Sequence, residues 1–221
     1  VRLEQMETNR VKELDEAKTK FYTNITHEFR TPLTIISGMT ELIRNAPGKW
    51  LEEGSEKINR NSKILLNLVN QMLDLSKLES GAMPLRMIRA DIDLYIKYIT
   101  ELFRSVATGK NIILSFTPGD QHPVIDYDPD KLMQIISNLL SNALKFTGPG
   151  GIVDVTSAVN RDGKFEIRVS DNGPGIPETY LPYIFDRFYR VGETNSGSGL
   201  GLSLTRELVK LLNGTVTAES I

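Results

Sequence analysis

Between Trp50 and Ser80, apolar residues spread over roughly 240° of a helix circumference. Ile58, Ile64, Leu66, Leu68, Val69, Leu73 and Leu75 mark the range. No single neighbouring helix can cover so wide a surface, and this limits the fold more than any other feature of the chain. The preceding residues, 1–45, read as one long helix with apolar residues at Val11, Leu14, Phe21, Ile25, Ile35, Met39 and Leu42. Their spacing is close to alternating threes and fours, as in a coiled coil. Asn45, Ala46, Pro47 and Gly48 break the pattern, and Gly81 closes the second helix. The expectation is an all-α hairpin over residues 1–82 whose surplus apolar face pairs two chains into a four-helix bundle. The competing expectation is that a second domain covers the surplus.

The first helix carries the sequence HEFRTPLT at 27–34. At ~100° per residue, Ile36 lies roughly 180° from His27, Ile25 roughly 160° and Leu33 roughly 120°. The apolar side is thus predicted to be buried and the imidazole to face water. A solvated histidine is mostly neutral at pH 7 and keeps a nucleophilic ring nitrogen. Glu28 is placed to hold or remove the proton on the other nitrogen. Thr31 shares the face of His27, where a hydroxyl can orient a water. Pro32 removes one backbone hydrogen bond, so a bend is expected just past the histidine.

Net charge is −2, which gives no electrostatic case for nucleic acid or an anionic membrane as partner. The absence of cysteine excludes disulfides and cysteine-based metal or redox sites. No apolar run reaches the ~18–20 residues of a membrane span. A chain that starts at Val1 in mid-helix and stops at Ile221 reads as an excised piece of a longer protein.

Residues 83–90 read as a linker, and after it the pattern changes. Helices are predicted at 92–107, 129–146 and 200–212, and strands at 111–117, 124–128, 152–159, 164–170 and 214–219. A Gly/Pro-rich stretch fills 172–199. This order predicts an α/β sandwich over 91–221, a mixed sheet with helices on one face.

Four blocks in this half carry chemistry. Asn138 and Asn142 are four apart on a helix, so both amides point the same way, and amide oxygens suit magnesium. Lys145 can neutralise phosphate and Phe146 offers a flat face to a base. Asp171 at a strand end can accept from an exocyclic amine, while Gly173 and Gly175, followed by Ile176, let backbone approach a ring. Tyr183 to Arg190 holds two phenylalanines that can anchor a loop and an arginine, Arg190, that can reach phosphate. Gly197, Gly199, Leu200 and Gly201 lead into a helix whose N-terminus favours phosphate. Leu202 stands where a dinucleotide fingerprint needs its third glycine, and no P-loop occurs. His122, without a partner motif, reads as a loop residue.

The 27–34 block closely resembles the phosphoacceptor box of sensor histidine kinases. The four later blocks look like the N, G1, F and G2 boxes of that family's ATP-binding domain, a fold shared with DNA gyrase B and MutL. The resemblance implies ATP-dependent autophosphorylation of His27 with Glu28 as base. It also implies transfer to an aspartate of a response-regulator receiver domain, separate or on the same chain as in hybrid kinases. Thr31 would position water for dephosphorylating that regulator. Asn142 would be the principal Mg²⁺ ligand with Asn138 beside it, Asp171 the adenine contact, and 176–198 the ATP lid. A homodimer is implied, as is a place in the cytoplasmic portion of an inner-membrane sensor. Two departures stand out: Leu212 to Thr215 replaces a common His-Gly-Gly, and the chain stops where the family continues into another strand. Asn138 stands where clamp-type ATPases of the superfamily carry a glutamate.

Overall fold

The structure, a computed structural model, describes residues 2–191 and 198–220. Helix α1 (Arg2–Asn45) runs continuously through Pro32, and α2 (Pro47–Glu79) returns against it. Only Ala46 separates them, so α2 starts three residues before the predicted Trp50. Pro47 sits in the first turn, where its missing N–H costs nothing and its fixed φ suits a helix. The two helices approach closely at Gly54, where a Cβ would come within 2.8 Å of Ile43 Cδ1. Gly81 ends α2 at φ +65°, with the Ala82 N–H bonded to the Lys77 carbonyl.

Regular structure resumes inside the segment read as linker. Met83 is buried, the Arg86 N–H donates to Asp128 Oδ2 at 2.6 Å, and Ile88–Asp91 forms β1. This strand pairs antiparallel with β3 (Val124–Tyr127). The helix predicted at 92–107 is two helices, α3 (Ile92–Leu102) and α4 (Arg104–Gly109), interrupted at Phe103. Neither proline nor glycine marks the break. The Phe103 N–H tightens onto the Thr100 carbonyl, and its side chain packs on the core.

The main sheet has the order β2-β4-β5, formed by β2 (Ile113–Thr117), β4 (Ile152–Val159) and β5 (Phe165–Asp171). Strand β2 runs parallel to β4 and β5 antiparallel to it, the mixed sheet expected. Alternation along β4 buries Val153, Val155 and Ser157. Ile96 and Ile99 of α3, with Ile136 and Leu140 of α5 (Pro129–Phe146), complete this core. Asp128, predicted as the end of a strand, instead caps α5 by accepting from the Lys131 N–H at 3.1 Å. After α6 (Gly201–Leu211), residues 214–220 form no strand, which corrects the strand expected at 214–219. No ladder to β5 holds this segment; Ser220 Oγ instead accepts from the Ile176 N–H at 2.7 Å.

A second core joins the two halves. Leu200, Leu204 and Leu208 pack with Leu68 and Leu75 of α2, Met83 and Ile135. The α/β domain thus covers part of the surplus apolar face of α2. The rest stays open: Leu66 is 62% exposed and Leu73 52%, with Ile64 and Val69 also exposed. No helix among the described residues is long and apolar enough to cross a membrane.

Candidate active site

His27 is exposed on α1, while Ile25 two residues before it and Pro32 are buried. The predicted sidedness holds near the imidazole and fails at Leu33, which is exposed. Leu33 lies instead in an open groove along α1 with Phe29, Arg30, Ser37 and Glu41. Thr31 donates its hydroxyl to the His27 carbonyl at 3.4 Å. Glu28 is half-buried and accepts from Arg190 Nη1 at 2.9 Å, a pair that joins the hairpin to the other half of the chain.

The placement of Asp171 follows from sheet register. It opposes Val153, which faces the helices, so Asp171 closes β5 on the helix side, under the end of α5. There its Oδ1 accepts from the Gly173 N–H at 2.9 Å. A Cβ on Gly173 would meet that oxygen at 2.7 Å and the Phe146 carbonyl at 3.2 Å, so the turn admits only glycine without a shift. Gly175 holds φ +71°, and Ile176 beside it is half-buried. Lys145 Nζ lies 4.5 Å from the centre of the Phe146 ring. Burial, then the charges of Arg190 and Lys110, hold the Lys145 ammonium below its usual range. Lys145 and Arg190 therefore lie within electrostatic reach of each other.

Two turns back on α5, Asn138 donates from Nδ2 to the Gly201 carbonyl at 3.3 Å and to Thr205 Oγ1 at 3.4 Å. It fastens the start of α6 and keeps Oδ1 as its remaining acceptor. Asn142 is half-buried one turn further along the same face. No side chain among the described residues caps α6, which suits its N-terminus to an anion. Gly199 is forced: φ is +65°, and a Cβ would lie 2.6 Å from Phe188 Cα. Phe188, itself at φ +60°, bonds through its N–H to the Gly199 carbonyl at 2.9 Å, so the aromatic and glycine blocks are locked together. Leu200 is fully buried. Gly197 and part of the predicted 176–198 lid lie outside the described residues.

Several functional contacts escape the sequence reading. Ser198 Oγ donates to Gln71 Oε1 at 3.0 Å and accepts from the Leu200 N–H, fastening the glycine loop to α2. Gln134 reaches Asp74 at 2.7 Å, and Arg187 pairs with Glu79. Thr147 Oγ1, next to Phe146, is buried with no hydrogen-bond partner among the described residues. His122 sits in a loop as read, but its Nδ1 lies 3.4 Å from the buried carboxylate of Asp93. A polar residue's partner across the fold leaves no local sequence signal.

An exposed histidine on a helical hairpin, held against a sandwich whose cations and glycine turns converge, defines a phosphoacceptor hairpin joined to a nucleotide domain. Comparison with known families agrees. Residues 17–81 match the His Kinase A (phospho-acceptor) domain, and residues 127–221 match the histidine kinase-, DNA gyrase B-, and HSP90-like ATPase. The sensor histidine kinase TmoS of Ectopseudomonas mendocina is 38% identical over 222 residues, covering 97% of this chain and 23% of that protein. Among solved structures, full-length ShkA in complex with AMPPNP has a TM-score of 0.67 at 29% identity, over 88% of this chain and 42% of that one. ThkA in complex with the response regulator TrrA has a TM-score of 0.66 at 24% identity, over 93% and 57% of the two chains. The chain belongs to the histidine kinase family. It spans less than a quarter of the length of the curated relatives it matches.

Proposed function

We propose that this chain is the catalytic core of a sensor histidine kinase that phosphorylates His27 from ATP and passes the phosphoryl group to an aspartate of a response-regulator receiver domain. The observation that supports it best is the Glu28–Arg190 pair, which sets the acceptor turn against the cationic edge of the nucleotide site. The domain division follows: a phosphoacceptor domain at 1–82, a junction at 83–90 and a catalytic domain from 91.

The residues fit a magnesium nucleotide. Asn142 Oδ1 and Asn138 Oδ1 are hard neutral donors, and no cluster of three His, Cys, Asp or Glu occurs among the described residues to compete for the metal. Bound Mg²⁺ would supply charge neutralisation on the phosphates. The chain's own residues do the rest. Asp171 accepts from the adenine amine, Gly173, Gly175 and Ile176 line the ring, and Phe146 faces it. Lys145, Arg190 and the N–H groups at Gly199 and Gly201, on either side of Leu200, hold the phosphates. A His27 ring nitrogen attacks the γ-phosphorus as the bond to the ADP oxygen breaks, and Glu28 takes the proton from the other nitrogen. Thr31, released from the His27 carbonyl, can orient water for the reverse task on the regulator.

The hairpin is proposed to act as a homodimer through the open face of α2, with a receiver domain as second partner and nucleic acid as none. The solved complex of ThkA with a response regulator supports the second partner. By the same family logic, this portion works on the cytoplasmic side of an inner-membrane sensor. The test is incubation with γ-labelled ATP and Mg²⁺. Acid-labile label should appear on the protein and vanish in His27→Gln; label that persists in the variant rejects His27 as acceptor.

A further inference from the structure

Arg190 stands between a carboxylate and a second cation. On one side Glu28 holds it at 2.9 Å, with the two side chains only 34% and 25% exposed. On the other lies Lys145, close enough for Arg190 to help depress its basicity. The surrounding contacts make this a fitted interface rather than a chance approach. Asp74 holds Gln134, Glu79 holds Arg187, and Gln71 holds Ser198, next to the forced turn at Gly199. Leu68 and Leu75 seal it from below against Leu200 and Leu204.

We propose that Arg190 is a positioning residue with two alternative partners, the Glu28 carboxylate and the phosphates of the nucleotide, so that nucleotide binding releases Glu28. The proposal rests on the reading of Glu28 as base and of Asn142, Lys145 and Asp171 as the nucleotide site. A guanidinium presents one rigid fork of donors, and a carboxylate that occupies it competes with phosphate. The polyphosphate carries several charges against one on Glu28, and Coulomb attraction favours the exchange once nucleotide is present. By linkage, whatever holds Arg190 away from phosphate must weaken nucleotide binding by the same factor with which nucleotide loosens that hold. The base is thereby unavailable until the phosphoryl donor arrives, which guards His27 from unproductive proton transfer.

The test is calorimetric titration of the whole chain with a non-hydrolysable ATP analogue and Mg²⁺ at low ionic strength. Glu28→Gln should bind the analogue roughly 2- to 5-fold more tightly, the scale of a partly exposed ion pair. The gain should shrink at high salt. In an Arg190→Gln background the same change at Glu28 should leave affinity unaltered, and Arg190→Lys should restore part of the coupling. A Glu28→Gln protein that binds no tighter, or a gain that survives Arg190→Gln, overturns the exchange while leaving the nucleotide site standing. Should the unaltered chain fail to bind the analogue, or Asn142→Ala bind it equally well, the site assignment itself falls and the exchange with it.

Discussion

A single missing Cβ decides the shape of the phosphate loop. At Gly199 the left-handed backbone costs a non-glycine residue about 1–2 kcal/mol, and the added methyl group would also collide with the Phe188 backbone. Phe188 is strained already at φ +60°, so it has little room to yield. Gly199→Ala should therefore weaken ATP-analogue binding by at least about tenfold, read by calorimetry, with the melting of the hairpin little changed. This position was legible in the sequence because glycine signals its own necessity. His27, Asn142 and Asp171 could be nominated in the same way, because the chemistry proposed for them is local. Asn138 was legible as a residue but not in its contacts, since Gly201 and Thr205 lie more than sixty positions away.

Three helices end by the same device. Gly81, Asn111 and Asn213 each follow a helix with positive φ, and in each case the next N–H returns to a carbonyl five residues earlier. Glycine is better suited than asparagine to that conformation. Asn111→Gly and Asn213→Gly should each stabilise the chain by a few tenths to about 1 kcal/mol, whereas Gly81→Ala should cost about 1–2 kcal/mol. Urea denaturation measures all three. The caps explain why the ends of α2 and α6 were readable. The break at Phe103 was not, because it comes from tertiary packing of an aromatic side chain and no breaker residue sits there. Strand 214–219 failed for the opposite reason: its composition suits a strand, but a strand needs a partner, which composition cannot supply.

Asp128 ties elements together and makes that tie sensitive to acid. Burial opposes its charge, but the N–H groups of Arg86 and Lys131, the Lys131 ammonium and the Asp130 N–H outweigh it, and the carboxyl is held below its ordinary value. The unfolded chain then takes up the proton first. The stabilisation is whole above the ordinary carboxylate range and is lost as pH falls through the lower folded value. Asp128→Asn keeps a cap for α5 but loses the charge. Its urea midpoint should fall at pH 7 and depend less on pH below about 4 than that of the unaltered chain.

At the scale of the whole molecule, the wide apolar surface of α2 is divided between two uses. One part meets Leu200, Leu204 and Leu208, and no sequence pattern could have shown this, since an amphipathic α6 announces a buried face without naming what buries it. The remainder, Leu66, Val69 and Leu73, repeats at the three- and four-residue spacing of a helix seam and stays exposed, with Ile64 beside it. Burying the 40–62% of each such side chain that is still exposed gains roughly 1 kcal/mol, and twofold symmetry counts every gain twice. The seam thus favours pairing of two chains, and it does so without the face already taken by the α/β domain. Leu66→Glu combined with Leu73→Glu should therefore yield a monomeric mass by light scattering. The same protein should bind the ATP analogue as before, because Leu66 and Leu73 are exposed and take no part in the core that joins α2 to the α/β domain. A dimer that survives the double substitution would assign the seam to a different partner, and loss of nucleotide binding would mean that the α/β domain depends on a second chain.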